Sequence, residues 1–249
     1  MKSPEENKTT ILIVDDSEVV KHSLKSFFAN YNFQVITCSD GFVGIQMATE
    51  FKPKLIFLDL MMPKFDGLKM LQVIKDRDDL KSVPVIVISA NTDRRNVLSA
   101  LEIGADRIIS KPLRKEIIIK NINEICGSEF LANAVKTGEF SNSESEVIKQ
   151  HLIQTFLNGF EVKKSAILTA LEEQDRDTLR AVVHEIKGNG GTIGYPQLSY
   201  ASDNIEKALN TISFDWTFIQ QKCEQIFSIV QDINNAHREL NCPHPHLTD

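Results

Sequence analysis

The sequence predicts an α/β doubly wound domain on a parallel five-stranded sheet, followed by an all-α helical bundle. Three observations predict it. From residue 10 to about 126, short apolar runs alternate with amphipathic stretches; the alternation then stops; and from Val147 onward only helical periodicity is found. A length of 249 residues accommodates two domains of ordinary size.

The strands are expected at Ile11–Val14, Gln34–Cys38, Leu55–Leu58, Val85–Ser89 and Arg107–Ser110. Several are continuous apolar runs, as suits strands covered on both faces. Helical stretches such as Val19–Phe28 and Gly41–Phe51 lie between them. Five such units in about 115 residues imply right-handed crossovers in a doubly wound sheet, with the working site beyond the C-terminal strand ends. These assignments place the first domain at 10–126. Residues 127–144, with Gly, Ser, Asn and Glu around a short apolar patch, read as a linker. At about 20 residues its r.m.s. span is about 25 Å. Helices are expected over Val147–Phe156, Phe160–Glu173, Thr178–Asn189, Gln197–Leu209 and Trp216–Leu240, giving an up-down bundle over 145–240. The tail, 241–249, is Pro- and His-rich and reads as disordered.

A net charge of −6 argues against a nucleic-acid partner, which needs a basic footprint. The apolar runs fall short of the roughly 20 residues a membrane span requires, and the N-terminus lacks the apolar segment of a signal peptide. Four scattered cysteines without a CxxC pair read as reduced thiols, and a cytoplasmic location is expected. The sequence has no glycine-rich ATP-binding motif and no kinase signature, so ATP is not an expected ligand.

The predicted strands end in chemistry. Asp15 and Asp16 follow the first, Asp59 the third, Ser89 closes the fourth, and Lys111 follows the fifth. Three carboxylates crowded together repel one another and raise their pKa values unless a cation neutralises them. A hard divalent ion such as Mg2+ is the natural occupant. Lys111 offers a point charge and Ser89 a hydroxyl to phosphate oxygens. The set suits in-line phosphoryl transfer to a carboxylate, where catalysis is mostly positioning and charge neutralisation. An ion-pair network without chemistry is the competing reading of each residue alone.

The motifs "ILIVDDS", "LIFLDLMMPKFDG", "VIVISA" and "GADRIISKP" resemble those of a response-regulator receiver domain, which is flavodoxin-like in fold. The resemblance implies that Asp59 is the phosphoacceptor. It implies direct Mg2+ ligation by Asp16, Asp59 and the backbone carbonyl of Met61, with Asp15 acting largely through water. Pro63 and Gly67 match the loop after the acceptor, and Pro112 the family's cis-proline. One position departs from the pattern: the family usually carries Tyr or Phe three residues before the lysine, and here it is Ile108. Either Ile108 simply packs in the strand, or this receiver passes phosphoryl groups more than it switches an output surface.

In the bundle, turning about 100° per residue puts Leu179, Val182, Val183 and Ile186 on one apolar face. His184 falls roughly opposite, flanked by Lys187 and Gly188, with Gly191 beneath. It is therefore expected to point to solvent, over glycines that let a partner approach. A neutral imidazole can attack a phosphoryl group, and Lys187 could neutralise the incoming charge. A surface histidine near a helix end, with glycines terminating the helix, is the competing reading. "LRAVVHEIKGNGGTIGYPQL" is similar to the active helix of a histidine-containing phosphotransfer (HPt) domain, which implies that His184 carries a phosphoryl group. Val183 stands where that family commonly has Ala or Ser.

Together the two resemblances imply a phosphorelay protein served by a sensor histidine kinase, and possible exchange with another receiver. A receiver-controlled adaptor or a phosphate sink, with His184 serving a separate relay, is the alternative.

Overall fold

A strand whose residues are all apolar has no face suited to water, and the first half of the chain builds such strands into a sheet covered on both sides. The computed structural model describes residues 8–62, 66–89, 94–136, 142–211, 213 and 215–241. The chain divides into two units, Met1–Asn142 and Ser143–Asp249.

In the first unit β1 (Thr9–Val14), β2 (Phe33–Cys38), β3 (Leu55–Asp59), β4 (Val85–Ser89) and β5 (Arg107–Ser110) alternate with five helices. These are α1 (Glu18–Phe28), α2 (Gly41–Phe51), α3 (Gly67–Asp76), α4 (Arg94–Ile103) and α5 (Lys115–Cys126). The sheet is parallel, in the order β2-β1-β3-β4-β5. Alternation along each strand feeds two cores. Ile11, Ile13 and Phe57 pack with Phe28 and Ile122 on one face, and Leu12, Val14 and Leu58 with Met70 and Leu71 on the other. Val14 pairs with Leu58, Asp59 with Ile88 and Ser89 with Ser110, so the C-terminal ends finish nearly in line. Strand order reverses between β1 and β3, which opens a crevice at those ends.

Side-chain caps start the helices that leave this edge. Ser17 Oγ accepts from the Val20 amide, Asp40 Oδ1 from Phe42, and Asp66 Oδ1 from Leu68. Behind the last cap, Gly67 lies so close to β3 that an added Cβ would stand 2.1 Å from the carbonyl oxygen of Asp59. Backbone, not a flexible side chain, is in the way. Gly67→Ala is expected to lower stability by about 3 kcal/mol in denaturant unfolding.

The stretch read as a linker from residue 127 begins instead as part of this unit. Helix α6 (Glu129–Ala132) buries Leu131 and stacks Phe130 on Phe33 with ring centroids 5.1 Å apart. The chain then pairs with the α1–β2 connection: the Asn32 amide donates to the Ala134 carbonyl, the Lys136 amide to that of Asn30, and Tyr31 bridges Val135. Lys136 Nζ donates to the Ala29 carbonyl at the C-terminal end of α1, where a cation is favoured. An apolar patch too short to announce an element is ordered here by the aromatic side chains it meets. Leu131→Ala is expected to cost about 2–3 kcal/mol, measured as a shift in the unfolding of this unit.

The second unit contains α7 (Asn142–Glu172), α8 (Arg176–Thr192), α9 (Pro196–Leu209) and α10 (Trp216–Asn241). Where the sequence suggests two helices broken near Gly159, α7 runs through. Glycine costs about 1 kcal/mol in a helix, but burial of Phe156 and Phe160 on either side outweighs it. Helix α8 likewise continues past Asn189 through Gly190 and Gly191. Ile153, Ile167, Leu179, Ile186, Leu198, Ile205 and Ile226 fill the core. Among the described residues no helix is long and apolar enough to cross a membrane. The expectations for Pro63 and for the tail 242–249 lie outside the described residues.

Candidate functional site

Beyond the ends of β1 and β3 the chain gathers Asp15, Asp16 and Asp59, each offering a carboxylate oxygen within 4.8 Å of the others. Asp15 and Asp59 are buried, while Asp16 is half-buried. Local hydrogen bonds orient them: the Ser17 amide donates to Asp15 Oδ1 (2.8 Å) and the Met61 amide to Asp59 Oδ1 (3.1 Å). Lys111, one residue past β5, reaches across the sheet edge with Nζ 2.6 Å from Asp59 Oδ2. It lies 2.9 Å from Asp15 Oδ2 as well, a charge contact without hydrogen-bond alignment. The Lys111 amide donates to the Ser89 carbonyl, and the Lys111–Pro112 peptide is cis. Ser89 is buried at the end of β4. Thus the five residues expected at four strand ends do lie along one edge.

The electrostatics follow from burial. Desolvation is the largest of the effects that together bring the Asp15 carboxyl up to about 7; Lys111 opposes it, while Asp59 and Asp16 act in the same direction as burial. For Lys111 burial works against the charge, but the attraction of Asp15 and Asp59 outweighs it and raises the ammonium pKa. Among the described residues Lys111 brings one positive charge to the two buried carboxylates Asp15 and Asp59, which leaves them short of positive charge.

Ile108 sits in β5 opposite Val87, half-buried against the core on the Leu12 face.

The second set of residues corrects one expectation. His184 is not exposed: it is 6% accessible, because α9 packs over its flank of α8. Its Nδ1 lies 2.6 Å from Glu206 Oε1, and its Nε2 is shielded and has no hydrogen-bond partner among the described residues. Glu206 also accepts from Lys187 Nζ (2.8 Å), which donates to Asp203 Oδ1 (2.6 Å) as well. Lys207 Nζ lies 2.6 Å from Asp203 Oδ2. Burial opposes the charge on Glu206, yet hydrogen bonds from His184 and Lys187 bring its pKa below the usual range. Glu206 is then a carboxylate, an acceptor only, so the proton of this contact lies on His184 Nδ1.

The glycines also read differently. Gly188 is buried and Gly191 half-buried, and a Cβ on Gly190 would meet the Ser199 amide nitrogen at 2.7 Å. At Gly190 the missing side chain serves the close packing of α8 on α9 rather than the approach of a partner.

Sequence reasoning missed Glu206 and Asp203. A signal was present: Leu198, Ser202 and Glu206 form one i, i+4 row of α9, and a carboxylate in a row that faces the core requires a partner.

Each of the two patterns matches a known family. The family model described as response regulator receiver domain matches residues 11–123, and the model described as Hpt domain matches residues 151–237. Protein PilG of Pseudomonas aeruginosa is 29% identical over 109 residues, 44% of this chain and 81% of PilG. Regulator of RpoS of Escherichia coli is 34% identical over 104 residues, 42% of this chain but 30% of that protein. The solved structure of the chemotaxis response regulator CheY4 of Vibrio cholerae aligns with 48% of this chain and 99% of its own, at 20% identity and a TM-score of 0.45. The chain therefore carries a response regulator receiver domain followed by an Hpt domain, a combination that indicates two-component phosphorelay signalling.

Proposed function

We propose that the chain is a relay station with two phosphoryl-carrying residues, Asp59 in the receiver and His184 in the Hpt domain. A sensor histidine kinase is the donor to Asp59, and His184 exchanges with a receiver. The reading rests above all on the meeting of Asp15, Asp16, Asp59 and Lys111 at one sheet edge. Asp16, Asp59 and the Met61 carbonyl would hold Mg2+, with Asp15 acting through water; the carboxylate set and its deficit of positive charge fit a hard divalent cation. When bound, the ion neutralises phosphoryl oxygens. The Asp59 carboxylate is the nucleophile, Lys111 draws the phosphoryl oxygens toward it, and Ser89 donates its hydroxyl to them. In the Hpt domain, Nε2 of His184 attacks while Glu206 holds the Nδ1 proton, and Nε2 must first be uncovered. With Ile108 in place of an aromatic ring, phosphorylation is expected to leave the affinity for output partners unchanged.

The test uses small donors. Acetyl phosphate with Mg2+ is expected to give a base-labile phosphoryl group on Asp59, and phosphoramidate an acid-labile one on His184. Failure of both residues to accept label would overturn the reading.

A pH dependence follows from Asp15. Its folded pKa, about 7, lies above the unfolded value of about 4, so the folded state holds a proton that the unfolded state has lost. Metal-free stability should therefore decline as pH rises from about 4 through about 7. A protonated Asp15 would hold the ion's surroundings less well, so the apparent Mg2+ affinity should fall as the pH drops below about 7, by up to about tenfold per unit. Thermal unfolding across this range, with and without Mg2+, checks both signs.

A further inference from the structure

Lys187, one turn along α8 from His184, is committed to two carboxylates, Asp203 Oδ1 at 2.6 Å and Glu206 Oε2 at 2.8 Å. Asp203 is itself shared, since Lys207 Nζ stands 2.6 Å from its other oxygen. Two carboxylates and two ammonium groups form a balanced chain, His184–Glu206–Lys187–Asp203–Lys207. A phosphoryl group brings nearly two further negative charges. To meet it, Lys187 must give up a carboxylate. Glu206 is needed where it is, because attack by Nε2 leaves the ring protonated at Nδ1 and positive. The P–N bond forms from the Nε2 lone pair as the bond from phosphorus to the donor breaks with its electron pair, and the Nδ1 proton stays on the ring against Glu206.

We infer that Asp203 is the positioning residue that sets how much phosphoryl His184 carries, by holding Lys187 back until Lys207 takes over its charge. Asp203 competes with the phosphoryl group for Lys187, and Lys207 weakens the competitor. Side-chain exposure fits these roles: Lys187 at 18% and Asp203 at 25% are partly sheltered, so their pairing is less screened than one in water, whereas Lys207 at 73% is free to adjust. The inference rests on His184 being a phosphoryl carrier.

The experiment uses the full chain with Asp59→Ala, so that only the Hpt station is read, and phosphoramidate as donor. Phosphorus NMR gives the equilibrium fraction of phospho-His184. Asp203→Asn is expected to raise the equilibrium constant on the order of fivefold, the upper range for a lost partly exposed ion pair, and Asp203→Glu to return it toward the parent. Lys207→Met, at an exposed position that leaves the core alone, should lower it. In a Lys187→Ala background the gain from Asp203→Asn should vanish. An unchanged or lowered constant in Asp203→Asn overturns the inference. An equal gain without Lys187 does so too, since Asp203 would then act by direct repulsion. No phosphorylation of His184 in the Asp59→Ala parent would instead remove the reading of His184 as a phosphoryl carrier, and this inference with it.

Discussion

Replacing Asp59 with Asn is expected to reduce receiver phosphorylation by acetyl phosphate on the order of 10^3-fold or more, because the nucleophile itself is removed. The surroundings make the effect specific. Asp59 Oδ2 is paired with Lys111 and Oδ1 accepts the Met61 amide, and an Asn side chain keeps the shape while losing the charge that both contacts favour. The buried Asp15 stays within reach of Lys111, but its raised pKa keeps a larger share of it protonated near neutral pH, and a protonated carboxyl is no nucleophile, so it is part of the ion's surroundings rather than a second acceptor. Asp59→Asn should also relieve Asp15 of one repelling neighbour and lower its pKa. Label appearing on Asp15 in the variant at the parent rate would contradict the assignment. Intact-mass spectrometry after a short incubation reads the outcome.

Glu206→Ala is expected to slow phosphorylation of His184 by about 10- to 100-fold, the usual cost of deleting the group that orients a reactive imidazole. Three losses coincide. The Nδ1 proton loses its acceptor, so the ring no longer favours the form with a free lone pair on Nε2. The positive charge that develops on the ring as the P–N bond forms loses its counter-ion. Lys187 also swings toward Asp203, its remaining carboxylate. Glu206→Gln keeps an oxygen for Nδ1 but not the charge, and should fall between wild type and Ala. A Gln variant as slow as Ala would mean that charge, not ring orientation, is the larger contribution. Stopped-time labelling with phosphoramidate separates the three chains.

What the sequence revealed and what it hid divide along the range of the forces involved. Asp15, Asp16, Asp59, Ser89 and Lys111 could be placed on one edge because a parallel sheet puts every strand end that follows an apolar run on the same side. The cis peptide before Pro112 was likewise legible from the motif around Lys111. His184 was placed wrongly with respect to solvent because a helical projection knows only its own helix. Val183 and Ile186 do face the core, but the opposite flank is covered by α9, and nothing in the periodicity of α8 says so. Phe130 and Leu131 read as linker for the same reason, since the partners that order them, Tyr31 and Phe33, lie about a hundred residues earlier in the chain. The break expected near Gly159 reflects local propensity that tertiary burial overrides.

The account's central claim, one chain with an aspartyl and a histidyl phosphoryl station, is tested most directly by transfer from a radiolabelled sensor kinase to wild type, Asp59→Ala and His184→Ala. The account predicts base-labile label at Asp59 and acid-labile label at His184 in wild type; Asp59→Ala, which removes the one receiver in the assay, loses both, and His184→Ala loses the acid-labile fraction alone. Wild-type label confined to a single residue, or a pattern untouched by either substitution, would contradict it.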